Sequence, residues 1–393
     1  MNFKPVHCTL LSFALLELFL LVNNCGGQPA NWKGTIRIEN GIRIIKNPEE
    51  PIHGNAFLKL EEELSIGNEN DKDYLFYKGV GILVDRNENI YALDYANLCI
   101  KKYDKRGNHI ITMGSKGQGP GEFQYITWAF LDSNENMYVS QQRNISVFDN
   151  SGKFIKSIPL FNQIGPFGIT RDKNIITSSL VYNSDGVTSD ILIISPDGKT
   201  QNKLASFPIK KLRMKGNIPV GASNPFAPIL FFRPHGEERG VYGFSAEYGL
   251  FVIDSMGHTV CIIEKKESPQ SLTRNEKKQA IDRELDFLRS RRFNISRTEI
   301  EKAYDFPIYK PFFSGMIIDE QGNIYLMRLD EDPDGKKKYH YDYFSKDGYY
   351  LYRIVMDRKL FPQAIANNCV YAAHENEEKG YFEIKKYRIK NWK

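Results

Sequence analysis

The sequence predicts an all-β protein, a six-bladed β-propeller with an inserted helical hairpin. The first observation behind this prediction is a repeated unit of four short apolar runs separated by polar turns. The second is the composition: aromatic residues make up 13% of the chain, a level that favours strands. The third is the number of units, because six of them follow one another along the 393 residues.

The repeat is clearest between residues 81–113 and 128–158, and it recurs at 315–355. Each copy carries an aspartate, an asparagine and a tyrosine at the same spacing: Asp85, Asn89 and Tyr91; Asp132, Asn136 and Tyr138; Asp319, Asn323 and Tyr325. Four apolar runs joined by tight turns form an antiparallel meander. One such sheet buries too little surface alone, so the units must stack on one another.

The aspartates that recur at the ends of the innermost strands are interpreted as turn residues, because Asp accepts backbone N–H groups there. They are Asp85, Asp132, Asp172 and Asp319. A binding or catalytic site would be asymmetric, whereas these residues repeat from unit to unit.

The six predicted blades cover residues 66–113, 125–160, 167–207, 229–264, 312–356 and 363–389. The last unit shows only three strands. Residues 35–39 and 42–45 flank Asn40-Gly41, a strong hairpin signal. We expect this N-terminal hairpin to complete the sixth blade and close the ring, because closure removes a raw sheet edge. The propeller is therefore assigned to residues 35–390.

Residues 265–310 interrupt the strand pattern. Two capping boxes, Thr273 with Glu276 and Ser296 with Glu299, predict the starts of two helices. Apolar residues follow both boxes at helical spacing. The hairpin also carries a basic cluster of Arg289, Arg291 and Arg292. This cluster is interpreted as a solvated helix end, and the alternative is a site for an acidic partner.

Residues 1–24 are predicted to be a signal peptide. The apolar run at 10–22 has the length of a signal core and is too short for a membrane span, which needs about 20 residues. Cys25 follows directly, and its position resembles the lipidation site of a bacterial lipoprotein. Residues 25–34 are assigned as a linker. We expect an extracytoplasmic protein, either a cell-envelope lipoprotein held at the membrane by Cys25 or a secreted protein.

The net charge of +5 on 26% charged residues lacks the strong basic excess that nucleic-acid binding requires. No nucleic-acid partner is therefore expected. The ordinary apolar fraction of 41% likewise excludes disorder as the main state.

The loop at residues 114–123, GSKGQGPGEF, is similar to the inter-blade loop of NHL-type propellers, as is the segment at 97–110. The pattern as a whole resembles bacterial extracytoplasmic six-bladed β-propeller proteins related to NHL repeats. The resemblance implies the fold and the compartment. It implies little about chemistry, because one fold supports many functions.

Two groups of enzymes have this fold, calcium-dependent lactonases and zinc-dependent amidating lyases, and each needs particular metal-binding residues. A lyase needs several histidines, whereas only His235 is expected beside an innermost strand. The channel-facing carboxylates and amides of a lactonase do not emerge from the repeat. We therefore expect no metal, no cofactor and no catalytic residue. A metal-assisted lactonase-like hydrolase using the channel mouth remains the alternative.

The remaining candidates are aromatic and cationic residues expected just before the innermost strands, where loops from all blades converge at the mouth of the channel. They are Tyr77, Trp128, Phe167, Arg233, His235 and Lys310. Such a surface suits a protein, a peptide or a glycan. The sequence thus favours a non-catalytic binding scaffold.

Overall fold

The computed structural model describes residues 28–183, 186–209, 213–215, 218–220, 224–329, 338–357 and 361–392. The predicted signal peptide and Cys25 lie outside these residues. Strands dominate the described chain, and four-stranded antiparallel sheets follow one another around a ring. Six such blades are present among the described residues, so the predicted six-bladed β-propeller is confirmed.

Three strands precede the first blade: β1 (Thr35–Glu39), β2 (Ile42–Asn47) and β3 (Asn55–Ile66). Blade 1 contains β4 (Val80–Val84), β5 (Ile90–Asp94), β6 (Cys99–Tyr103) and β7 (His109–Met113), and is followed by β8 (Ser115–Lys116) and β9 (Glu122–Phe123). Blade 2 contains β10 (Trp128–Leu131), β11 (Met137–Ser140), β12 (Asn144–Phe148) and β13 (Phe154–Pro159). Blade 3 contains β14 (Ile164–Ile169), β15 (Ile175–Asn183), β16 (Gly186–Ile194) and β17 (Gln201–Ile209), and is followed by β18 (Arg213–Lys215) and β19 (Ile218–Val220).

Blade 4 contains β20 (Leu230–His235), β21 (Arg239–Phe244), β22 (Gly249–Asp254) and β23 (Thr259–Lys265). Blade 5 contains β24 (Gly315–Ile318), β25 (Ile324–Met327), β26 (Lys338–Phe344) and β27 (Tyr350–Asp357). Blade 6 contains β28 (Pro362–Ala366), β29 (Cys369–Asn376) and β30 (Tyr381–Trp392). The first strand of each blade contacts the first strands of both neighbouring blades, so these six strands surround a central channel.

The core lies between the faces of adjacent blades. Phe130 of blade 2 and Phe167 of blade 3, for example, meet with ring centroids 6.3 Å apart in a cluster of buried aliphatic side chains. Each blade is thus held by the next through apolar contacts, as a stacked repeat requires.

The turn interpretation of the repeated aspartates is confirmed for three of the four. Oδ1 of Asp85 accepts hydrogen bonds from the backbone N–H groups of Asn87 and Asn89 at 2.9 and 2.8 Å, and Oδ2 accepts one from the Asn89 side chain. Asp132 and Asp319 make the same bonds in blades 2 and 5. In blade 3 the equivalent residue is Thr170, not Asp172, since the Thr170 hydroxyl accepts from the backbone of Asn174.

The ring closes through an N-terminal strand, but not through the predicted hairpin. β3 pairs antiparallel with β30 and supplies the fourth strand of blade 6. The hairpin β1–β2 forms as expected around Asn40-Gly41, yet β2 pairs parallel with β23 on the outer edge of blade 4. Between them, the start of β3 runs parallel to β27 of blade 5. Residues 35–66 therefore form a belt around the rim of blades 4, 5 and 6.

The ordered packing begins before the predicted start of the propeller at residue 35. Trp32 is buried and its ring meets the ring of Tyr349 edge-on, with centroids 5.0 Å apart. Its indole N–H donates to Asn47 Oδ1 at 3.0 Å. The end of the predicted linker 25–34 is thus part of the belt, because a buried indole needs both a packing surface and an acceptor.

The predicted helical hairpin is confirmed as α1 (Arg274–Ser290) and α2 (Arg297–Ala303), and both capping boxes form. Buried side chains from both helices, including Ile281, Leu285 and Ile300, pack together into a separate apolar cluster. The insertion begins slightly later than residue 265, because Lys265 is the last residue of β23.

The glycine-rich loop 114–123 is a packing motif. A Cβ at Gly114 would lie 2.2 Å from the Phe123 ring, and the residue has a φ of +69°. The Glu122 carboxylate accepts the N–H of Gly119 at 2.8 Å, and any side chain at Gly117 would collide with that carboxylate. The loop thus folds over its own glutamate and phenylalanine, and Gly114 is the position where a positive φ and the close Phe123 ring together favour glycine.

Candidate functional site

The channel has two ends with different chemistry. One end, here called the mouth face, carries the first residues of the innermost strands and the turns between the second and third strands, such as residues 95–98. The opposite end, here called the turn face, carries the aspartate turns such as residues 85–89. Polar contacts link blades across the turn face, including an ion pair of Lys173 with Asp132 at 3.2 Å and a bond from the Ser133 N–H to Glu237 at 2.7 Å.

Two of the predicted site residues meet in the channel. Trp128 is the first residue of β10 in blade 2, and Arg233 is the fourth residue of β20 in blade 4. The guanidinium carbon of Arg233 lies 5.0 Å from the centre of the Trp128 ring, within range of a cation–π contact. The pair spans from blade 2 to blade 4 past the innermost strand of blade 3.

The guanidinium of Arg233 is held without a carboxylate among the described residues. Nη1 donates to the carbonyl of Phe232 at 2.8 Å, and the guanidinium also contacts the Trp128 ring. Protein surrounds the guanidinium, although the residue keeps some contact with water in the channel. This burial lowers the pKa of Arg233 to about 10, because enclosure disfavours the charged form and no anion of the described residues offsets it.

Arg233 also breaks the repeat. In blade 4, Arg233 lies two residues before the first residue of the turn that joins the first and second strands. The residues two places before that position in blades 1, 2, 3 and 5 are Leu83, Phe130, Gly168 and Ile317. Four blades thus place an apolar residue or glycine where blade 4 places a cation. Asymmetry of this kind distinguishes a site from repeat chemistry.

Aromatic side chains of blades 1 and 2 lie on the mouth face. Tyr77, just before β4, is 62% exposed, and Tyr125, just before β10, is 52% exposed. Tyr95 lies against Gly81, since a Cβ there would be 2.5 Å from the Tyr95 hydroxyl. Burial, and then the proximity of Tyr125, raise the pKa of Tyr95. Tyr95 is not among the residues predicted from the sequence; its place in the turn after β5 is the signal that could have found it.

Two of the predicted contact residues lie elsewhere. Phe167 is fully buried between blades 2 and 3, so its ring belongs to the core and not to the mouth. His235 is the last residue of β20, not a residue before it, and therefore lies on the turn face. Its ring packs over Gly322 of blade 5, and its Nε2 is 3.5 Å from the carbonyl of Glu320.

The side chain of Lys310 contacts the helical insertion. Its ammonium pairs with the Glu276 carboxylate at the start of α1, and its backbone N–H donates to Gln270 at 2.8 Å. It lines a pocket with Phe312 and Arg328. Its main contacts therefore fasten the insertion to the propeller.

Behind that pocket, a cluster of charged groups is buried between blades 4 and 5. Asp342 is fully buried and pairs with Arg328 at 2.9 Å, Arg353 at 3.3 Å and Lys265 at 3.5 Å. Burial alone would raise the pKa of the Asp342 carboxyl, but the three cations outweigh it and hold that pKa well below its usual range. The hydroxyls of Tyr248 and Tyr350 also donate to this carboxylate.

Within the described ranges, no three His, Cys, Asp or Glu side chains come together in a way that could hold a metal ion. Neither helix of the described chain is long and apolar enough to cross a membrane. Cys25 lies outside the described residues, and its predicted lipidation stays a prediction.

Residues 71–163 match the family DUF5128, described as a 6-bladed beta-propeller. A proposed exported protein from Bacteroides fragilis NCTC 9343 has a similar structure, with a TM-score of 0.54 at 14% identity over 88% of this chain and 100% of that one. A DUF4221 member from Bacteroides vulgatus ATCC 8482 has a TM-score of 0.51 at 11% identity over 85% and 99%.

No curated protein matches the sequence at a significant level. The matches that do exist confirm the resemblance to six-bladed β-propeller proteins. At these identities the structural similarity shows the fold alone.

Proposed function

We propose that this chain is an exported, non-catalytic propeller that binds a protein, a peptide or a glycan at the mouth of its channel. The observation that carries the proposal is the Trp128–Arg233 pair, which places an aromatic ring and an unneutralised cation together inside the channel. Binding sites typically combine a mainly apolar concave surface with a few polar groups that fix orientation.

The exposed aromatics support the same location. Tyr77 and Tyr125 each leave more than half of their surface in solvent on the mouth face, beside the half-buried Trp128. Large aromatic side chains are enriched where proteins bind partners, because they bury much area at little cost in side-chain entropy. Only at the channel do segments from all six blades converge, so short loops can build one concave site there.

The helical hairpin is the rival location. Arg291 lies over the Phe287 ring at 4.4 Å, Phe287 is 46% exposed and Phe293 is 37% exposed. A basic and aromatic surface of this kind would bind an acidic partner, with a strong dependence on salt. The two locations can be separated because the hairpin is a local insertion.

The test is a pull-down from cell-envelope extract with two variants. The first is Tyr125→Ala with Trp128→Ala. The second replaces residues 272–308 by a short Gly-Ser linker, which the pairing of Ser271 with Tyr309 makes geometrically simple. We expect the double variant to lose the partner and the linker variant to keep it. The reverse result would place binding on the hairpin. The exposed Arg106→Met on the turn face lies outside both surfaces and, as the control, should keep the partner.

A metal-assisted hydrolase makes a different prediction. A metal that binds only the native state raises the melting temperature. We expect melts in calcium, zinc or EDTA to coincide, and a rise of several degrees with either metal would contradict the non-catalytic proposal.

Export and anchoring through Cys25 form a separate part of the proposal. The support is the apolar run at residues 10–22 followed by Cys25, Gly26 and Gly27. Cells fed a clickable palmitate should label the wild-type protein and leave Cys25→Ala unlabelled. Equal labelling of both would remove the anchor, and secretion without lipid would then remain.

A further inference from the structure

Arg233 carries a positive charge that nothing in the described chain neutralises, and this deepens the proposed function. The other buried cations of the described residues named above have carboxylate partners: Lys265, Arg328 and Arg353 all face Asp342. Arg233 has a carbonyl at 2.8 Å and an aromatic ring instead. Most N–H groups of its guanidinium therefore meet neither a carboxylate nor a carbonyl of the part of the chain that the structure describes.

Such a residue costs stability in the free protein. Enclosing a charge without a counter-ion is unfavourable, because the charge loses part of its hydration. The equivalent positions of blades 1, 2 and 5 show that Leu, Phe or Ile fits this place in the repeat. The cation is thus not required by the fold, and its retention at a cost is expected where it serves a ligand.

We propose that Arg233 binds the C-terminal carboxylate of a peptide that enters the channel from the mouth face. The guanidinium fork matches a planar carboxylate, which it can bind through two parallel hydrogen bonds. One unneutralised positive charge suits one negative charge. The Trp128 ring lies on one side of the guanidinium, with its centre 5.0 Å from the guanidinium carbon.

The depth of Arg233 below the rim of the channel favours a ligand group at the end of a chain over a group along its side. Arg233 is the fourth residue of β20 and so lies below the rim where Tyr77 and Tyr125 are exposed. A group at the end of an extended chain can reach this depth. The innermost strands also have one edge without a sheet partner, and such edges can bond to peptide backbone.

The first experiment uses two pools of random tetrapeptides that differ only at the end, one with a free carboxylate and one with a C-terminal amide. Binding is followed by calorimetry, and by the fluorescence of Trp128 with Trp128→Phe as the spectroscopic control. We expect the acid pool to bind and the amide pool to bind at least about tenfold more weakly. Arg233→Met should remove this difference, Arg233→Lys should keep it in part, and the exposed Arg106→Met on the turn face should leave it intact.

The second experiment measures the ligand-free protein. If Arg233 serves a ligand, Arg233→Met should melt at the same temperature as the wild type or higher, because an uncompensated charge is replaced by an apolar chain. If Arg233 is instead a structural staple against Trp128, the variant should melt several degrees lower. That lower melt would overturn the proposal.

The outcomes separate this inference from the proposed function. Equal binding of acid and amide pools, lost in the Tyr125→Ala and Trp128→Ala variant, would keep the mouth as the binding site and overturn the carboxylate. Binding of an oligogalacturonate but of neither peptide pool would overturn the peptide and favour an acidic glycan. Failure of the mouth variants to change capture of any partner would overturn both.

Discussion

Nη1 of Arg328 lies 2.9 Å from Oδ2 of Asp342, and both side chains are buried where blade 4 meets blade 5. Lys265 reaches the same carboxylate from blade 4, so the contact joins two blades through charge as well as through apolar packing. A buried carboxylate among three cations makes the protein sensitive to any change at that one residue.

The substitution Asp342→Asn tests this. It leaves Lys265, Arg328 and Arg353 with less negative charge to face, and we expect the free energy of unfolding to fall by about 3–5 kcal/mol. Urea denaturation at neutral pH gives the value. Asp286→Asn, in an exposed position of α1, should stay within about 0.5 kcal/mol of the wild type. Similar losses in both variants would show that the cluster contributes nothing special.

Acid should destabilise the protein through the same group. The folded-state pKa of Asp342 is depressed below the value of about 3.9 for an unfolded aspartate. Its contribution is therefore complete above the unfolded pKa and is lost as pH falls from about 4 toward the folded pKa. Unfolding curves at pH 7, 4, 3 and 2 should fall more steeply for the wild type than for Asp342→Asn. Parallel pH profiles would contradict this assignment.

Asn47 is a second buried residue that joins several elements, in this case through hydrogen bonds. Its Oδ1 accepts from the Trp32 indole at 3.0 Å and from the backbone N–H of Tyr350 at 2.9 Å, and its amide donates to the Gly348 carbonyl at 2.9 Å. Asn47→Ala would leave these buried groups unpaired, at about 1–3 kcal/mol each. Chemical denaturation should show the loss, and the exposed Asn55→Ala in the same belt should show little.

The closing strand β3 contributes to the core through Ile66. This residue is 2% exposed and packs in the cluster that joins blades 1 and 6. Ile66→Ala should cost about 2–5 kcal/mol, from lost burial and the cavity left behind. Lys59→Ala, an exposed position of the same strand, is the matched control. A thermal melt in which both variants match the wild type would show that β3 is not required for closure.

The sequence predicts most of the individual strands and helices, but it does not predict which strands from distant parts of the chain pair with one another. The Asn40-Gly41 turn and the alternation on either side predicted a hairpin that does form. Nothing in those residues encodes whether the hairpin's outer edge joins blade 4 or blade 6, because a strand edge offers the same backbone groups to either. β3 was overlooked since its exposed acidic run, Glu61 to Glu63, hides the alternation of Ala56, Leu58 and Leu60.

The positions of the candidate site residues were predicted only in part. Trp128 and Arg233 were placed on one surface, and the structure brings them into contact. His235 was placed at the wrong end because Pro234-His235-Gly236 has the composition of a loop. In the structure Pro234 lies within β20, which tolerates it because an innermost strand has a sheet partner on one edge only. Because β20 continues to His235, the histidine lies on the turn face and not on the mouth face, where it was predicted.

Closure by β3 sets an order on the assembly of the molecule. β3 emerges early during synthesis, yet its partner β30 comes from the far end of the chain, and Leu58 to Ile66 pair with Ile384 to Trp392. Five blades can form before that partner exists, whereas the sixth cannot. Bringing such distant segments together is slow, since contacts far apart in sequence lose much chain entropy before they gain any interaction. The ring is therefore completed last, and until then an unpaired strand edge stays available to any other chain nearby.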